Sequence, residues 1–210
     1  MKRIAFKRLA LSVCAITLLT SALTACFPLV VGGAVAGGAL LTTDRRTSGA
    51  QLEDEGIELR GTSRIRGNFG DRAHVNLTSF NRQVLLTGEV PSAQDKQLIE
   101  QLVSRVENVT AVVNELAVMG NSTLTQRASD TLVTGRVKAG LLDASDLFSN
   151  SFKVVTEQGT VYLMGRVTQR EANRGTEVVR GTSGVQKVVR VLEVISEAEL
   201  VRLQPAPSKP

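Results

Sequence analysis

At 210 residues, with 42% hydrophobic residues and no Trp, the chain is long enough for two small cores, built mainly from Val, Leu and Ile. The formal charge of +5 misleads: without Lys2, Arg3, Lys7 and Arg8, 21 basic residues face 20 acidic ones. No Lys/Arg run is interleaved with aromatics, which excludes a nucleic-acid partner on composition.

Residues 1–25 read as a signal peptide: a basic end, an apolar run from Leu9 through Leu23, then small residues before Cys26. Leu23-Thr24-Ala25-Cys26 resembles the bacterial lipobox, in which the cysteine thiol is diacylated before cleavage. Phe27 follows, not the Asp that accompanies inner-membrane retention, so the resemblance to bacterial lipoproteins implies the outer membrane. Cys14 lies inside the signal, so beyond Cys26 no thiol remains for a disulfide or a metal. Residues 26–50 form a lipidated flexible tether. Its segment Phe27–Leu41 is too short to span a bilayer and lacks the Lys-Ser/Thr that a phosphate-cradling loop needs.

A first unit, 51–119, opens at the acidic helix start Glu53-Asp54-Glu55, with Ile57, Gly61 and Ile65 marking a buried stripe. Asn68–Arg72 reads as a loop. Val75–Val90 alternates apolar and polar residues around a polar turn, the pattern of a hairpin. A helix from Pro91-Ser92 turns Leu98, Ile99, Leu102, Val103 and Val106 inward, and Val112–Val118 closes the unit as a third strand. After the polar linker Gly120–Thr125, a second unit (124–195) repeats the order: helix from about Ser129 to Leu142, hairpin 152–167, helix 170–180, strand 188–195. Residues 196–210 are a flexible tail with a short helical possibility.

The repeat is specific. V-x-L-x-G-x-V occurs as Val84, Leu86, Gly88, Val90 and again, 77 residues on, as Val161, Leu163, Gly165, Val167. Gly88 and Gly165 fall on inward-facing positions, where close approach of a helix would leave no room for a Cβ. Val109–Val118 and Gly184–Val194 share a closing G-V-x-x-V-x-N-x-L-x-V-like motif. This layout resembles the BON domain, and two such units behind a lipobox are similar to the dual-BON outer-membrane lipoproteins of Gram-negative bacteria. The resemblance implies an α+β fold: two αββαβ domains, each with two helices packed on a three-stranded mixed sheet. It implies lipid binding and support of outer-membrane integrity. Two departures stand out. Arg82 occupies the turn position where the family has Gly, kept as Gly159 in the second unit, which suggests that Asn81 takes the left-handed conformation instead. Leu132 stands where the family pattern implies a Trp.

Catalytic chemistry is not in view. His74 is alone at a strand edge, no Cys/His cluster has metal-ligand spacing, and no serine has a G-x-S-x-G context, so no enzyme activity, metal or cofactor is expected. The helix around Leu132 is more informative. At about 100° per residue, Val133, Val137, Gly140 and Leu141 form the core stripe. Leu132, Gly135, Ala139 and Leu142 lie on the other side, flanked by Arg136 and Lys138. An apolar strip between cations suits an interfacial membrane contact with anionic phospholipid; the alternative is that it packs on the first unit. The same face of the first unit (Gly56, Leu59, Ser63, Arg66) sits behind Glu53, Asp54, Glu55 and Glu58 and should be repelled by an anionic leaflet. The competing function is a periplasmic adaptor docking on outer-membrane assembly, cell-wall remodelling or division proteins.

The anchor is directly testable. Cys26→Ala is expected to leave a largely soluble periplasmic protein, because the tether alone buries too little surface. Unchanged membrane fractionation of the variant would defeat the lipobox reading.

Overall fold

The V-x-L-x-G-x-V segments are the central strands of two small mixed sheets. In the computed structural model, which describes residues 44–203, the order is α1 (Ser48–Phe69), β1 (His74–Phe80), β2 (Gln83–Val90), α2 (Ala93–Ser104), β3 (Ala111–Asn114) and β4 (Ala117–Val118). It continues with α3 (Leu124–Asp143), β5 (Lys153–Glu157), β6 (Thr160–Thr168), α4 (Gln169–Arg180), β7 (Lys187–Ile195) and α5 (Glu197–Leu203). Short 3₁₀ turns precede β1 and β5. The signal peptide, Cys26, the tether up to residue 43 and tail residues 204–210 lie outside the described residues.

Each half is αββαβ, as the sequence implies. β2 pairs antiparallel with β1 and parallel with β3 and β4; β6 pairs likewise with β5 and β7. Val84 pairs with Val112, 28 residues on, and Val161 with Val188, 27 residues on, so the two copies differ by one residue between hairpin and last strand. On one face of each sheet, alternate strand residues meet the helices. Ile57, Ile65, Val84, Leu86, Ile99 and Val103 make the first core; Val133, Val137, Leu141, Val161, Leu163 and Val179 make the second.

Several local expectations change. α1 starts at Ser48 rather than Glu53, because Thr47 caps it through Ala50 N and Arg46 bridges Asp44 to Asp54. Residues 44–50 are therefore ordered and held, where a flexible linker was expected. α1 also runs on to Phe69, whose ring is buried, and ends at Gly70 with φ 53°. Leu98 is half exposed rather than inward. The expected strand 112–118 breaks after Asn114, whose side chain accepts from Leu116 N. In the tail, Leu200 of α5 is buried, and Arg166 bonds Glu199 at 2.7 Å.

The two glycines are needed for a different reason from the one expected. A Cβ at Gly88 (φ 111°) would strike the His74 carbonyl, and one at Gly165 (φ 156°) the Ser151 carbonyl. The obstacle is backbone at the start of β1 and in the turn before β5, not a packed α-helix. The hairpin turns also differ from expectation. Both Asn81 (φ 49°) and Arg82 (φ 67°) are left-handed, matching Gln158 (φ 49°) and Gly159 (φ 69°). The strain at Arg82, roughly 1 kcal/mol, is offset by a buried carboxylate. Asp54, 2% exposed, accepts from Asn81 N, Arg82 N and Ser79 Oγ at 2.6–2.7 Å. Asp130 does the same for Gln158 N and Gly159 N, both at 2.9 Å.

The second face of each sheet is also covered. Phe80 and Leu85 meet Tyr162, Met164 and Val191 in a third cluster, so the halves pack sheet against sheet within one compact unit. Polar bonds rim this seam: Asn76–Glu157 (2.8 Å), Asn81–Glu193 (2.7 Å), Lys153–Glu58 (2.8 Å) and Gln158–Glu89 (2.6 Å).

Asp54→Ala strips four donors of their acceptor and is expected to cost about 3–5 kcal/mol in urea unfolding. Asp130→Ala should cost less, since Gly159 tolerates its turn conformation unaided. Equal losses in the two variants would show that Arg82 carries no strain.

Candidate membrane-facing site

α3 begins where Thr123 and Gln126 exchange hydrogen bonds in a capping box. Val133, Val137 and Leu141 bury one side, and at Gly140 the helix approaches α4 so closely that an added Cβ would lie 3.3 Å from Val178. The opposite side is left to solvent. Leu132 is 62% and Leu142 71% exposed, and Gly135, Arg136, Lys138 and Ala139 are exposed with them. The first half does not cover this strip, because it uses its sheet for the contact. Arg136 reaches Ser183 O only at 3.4 Å, leaving its charge outward.

The strip is longer than the sequence reading made it. Leu124, 81% exposed, continues it by two turns, through Ala128. The T-x-x-Q capping signature at Thr123 was the available signal, and starting the helix at Ser129 missed it. One acid, Asp143, borders the far end.

The arm at residues 44–46 reaches the same end of α3. A groove of about 510 Å³ is lined by Asp44, Arg46, Phe80, Lys138, Leu142 and Lys153, among others. Two arginines hold the arm there, one on each half. Arg46 pairs with Asp54 at 2.8 Å and lies 4.2 Å from the Phe80 ring centroid. Arg45 forks onto Glu171 with two 2.7 Å bonds and also reaches Arg166 O. Glu171 is 1% exposed. Burial pushes its carboxyl up, but hydrogen bonds from Arg45 and from Thr168 N outweigh this and hold it below the usual range.

The corresponding face of α1 has a different character. Leu59 is exposed, but Glu53 pairs with Arg60 at 2.6 Å and Glu58 with Lys153, and a Cβ at Gly56 would meet the Arg60 side chain. Among the described residues no helix is long and apolar enough to cross a membrane.

Known proteins agree with this architecture. The BON domain matches residues 55–120 and again 129–196. The chain is 34% identical over 175 residues to the outer membrane lipoprotein DolP of Haemophilus influenzae, covering 82% of this chain and 90% of that one. It is 30% identical to the 21 kDa hemolysin of Actinobacillus pleuropneumoniae over 154 residues, 72% of this chain and 79% of the relative. Against the osmotically-inducible protein Y of Escherichia coli, the identity is 27% over 135 residues, 60% of this chain and 67% of the relative.

Arg45→Ala would leave the buried Glu171 charge uncompensated, at an expected cost of about 3–5 kcal/mol at neutral pH. Because the folded pKa of Glu171 is depressed, the arginine's contribution is full above the unfolded value and fades as pH falls through the folded one. Melting curves of variant and parent should therefore stay apart through the ordinary carboxylate range and converge only in stronger acid, once the folded carboxyl protonates. A gap that persists in acid would assign the loss to packing.

Proposed function

The chain belongs to the BON domain family, as a dual-domain outer-membrane lipoprotein facing the periplasm, and from that premise we propose that its second domain binds anionic phospholipid through the outer face of α3. The exposed strip carries this reading: three leucines and small residues along one side of a helix whose own core and domain partner are both satisfied elsewhere. Large apolar side chains left in water beside two cations suit an interface of acyl chains and anionic headgroups. The absence of bulk at Gly135 and Ala139 lets the helix axis approach a surface closely.

The arm supports the same orientation. Seventeen residues (27–43) separate Cys26 from Asp44, and Asp44 lines the groove that Leu142 also lines. A lipid on Cys26 would thus raise the local concentration of membrane at the strip, so weak intrinsic binding suffices. Near an anionic surface each cation contributes about 1 kcal/mol within a Debye length. The function is that of a binding module that supports outer-membrane integrity, not of an enzyme.

The fragment from Asp44 onward is expected to co-sediment with phosphatidylglycerol-containing vesicles but not with phosphatidylcholine alone, and less so at raised salt. Leu132→Glu should abolish the binding with little change in melting temperature, because the side chain is 62% exposed. Gly56→Glu, on α1, should leave binding intact. Binding indifferent to salt and lipid charge, or surviving Leu132→Glu, would shift the reading to a protein-docking adaptor.

A further inference from the structure

At one rim of the seam, three side chains remote in sequence converge. His74 opens β1, Glu89 lies opposite it on β2, and Glu157 ends β5 of the other half. One ligating atom from each lies within 4.8 Å of the others. Glu89 is 0% and Glu157 8% exposed. Their oxygens have donors: Ser122 N at 3.0 Å and Gln158 Nε2 at 2.6 Å for Glu89, and Asn76 Nδ2 at 2.8 Å for Glu157. His74 Nδ1 stands 2.9 Å from Glu89 Oε2.

Hydrogen bonds satisfy these oxygens without cancelling their charge. With a neutral imidazole, two buried carboxylates face each other, and among the described residues no Lys or Arg pairs with either. The place therefore favours added positive charge. A second feature points to a ligand. Thr87, 1% exposed, lies on the same face of β2 as Glu89 and opposite Asn76, and its Oγ1 has no partner. A buried hydroxyl without a partner, on the strand face that carries Glu89 and opposite the Asn76 that binds Glu157, fits a site that admits water or a hydrated ion. A cleft of about 540 Å³ along the open edge of β1 reaches two members of this cluster, His74 and Asn76.

We propose that this rim binds one zinc ion through His74, Glu89 and Glu157, with water completing the shell. One imidazole nitrogen and two carboxylate oxygens form a donor set that zinc accepts and that offers magnesium too few oxygens. Bonds of about 2.0–2.1 Å in a tetrahedron set ligand atoms about 3.3 Å apart. The 2.9 Å between His74 and Glu89 need open by a few tenths of an ångström, while the third ligand, within 4.8 Å of both, draws in. Since the ligands come from both halves, the ion ties one BON domain to the other, independently of any lipid contact by α3.

The test uses the mature chain purified in mild detergent and stripped with chelator. Titration calorimetry is expected to give one zinc per chain, with a melting temperature several degrees higher that chelator reverses, and no such shift with magnesium. His74→Ala and Glu157→Gln should each weaken zinc binding at least tenfold. Glu157→Gln removes a repelling charge while keeping a hydrogen-bond acceptor, so it should melt in chelator no lower than the parent, which keeps a loss of zinc distinct from a loss of fold. The proposal fails if zinc binds below stoichiometry, or if it binds both variants as tightly as the parent. It fails also if the parent takes no zinc and Glu157→Gln alone gains stability, which would make the cluster a repulsion that protons relieve.

Discussion

The buried carboxylate on the first helix of each half is the interaction on which the rest depends. Asp54 and Asp130 sit one turn before the core residues Ile57 and Val133, inside the fold, and each accepts both N–H groups of the facing hairpin turn. An ionised acceptor makes these bonds stronger than neutral ones. More important is what they position: the turn fixes the register of the two-stranded unit, and the register decides which residues face the helices. In the first half the same carboxylate also binds Arg46, so the arm, the helix and the hairpin share one charge. A helix bound in this way to a turn is not free to rotate. Its outward face is therefore a fixed surface rather than a variable one.

Much of this was legible in the sequence, and the failures have physical causes. Period-two alternation and the repeated V-x-L-x-G-x-V were enough for the hairpins, their pairing and the αββαβ order. The sheet-to-sheet seam was not inferred, although Leu85 beside Leu86 and Tyr162 through Met164 break the alternation. Such runs are what a strand buried on both faces carries. Asp54 read as part of an acidic helix start because nothing local distinguishes a solvated first-turn carboxylate from one that receives a turn across 27 residues. Arg82 in a left-handed turn was unreadable for the same reason: its support lies in tertiary structure.

The strip on α3 shows the opposite case. Helical periodicity alone separated the buried Val133, Val137 and Leu141 from the exposed Leu132 and Leu142, because the core fixes only one side. Whether the other side was free depended on where the first half packs, which no local pattern reveals. His74, Glu89 and Glu157 are harder still. They have no ligand-like spacing, and they meet only because two sheet faces are apposed.

That apposition also decides which surfaces are left for partners. Each sheet has its inner face on its helices and its outer face on the other sheet, so little sheet surface is open beyond the strand edges. The helices form the outside of the molecule, and the two halves differ there in charge and not in shape. α1 shows Glu53, Glu55 and Glu58 around Leu59, with Arg60 and Lys153 already engaged in pairs. α3 shows Arg136 and Lys138 around a line of leucines, and its one inner acid is used by a turn. The two copies share one helix–hairpin lock, and their free faces differ: acids surround Leu59 in the first, cations border the leucines in the second. The arm, clamped to both halves by Arg45 and Arg46, holds Asp44 at the end of α3 that carries Leu142.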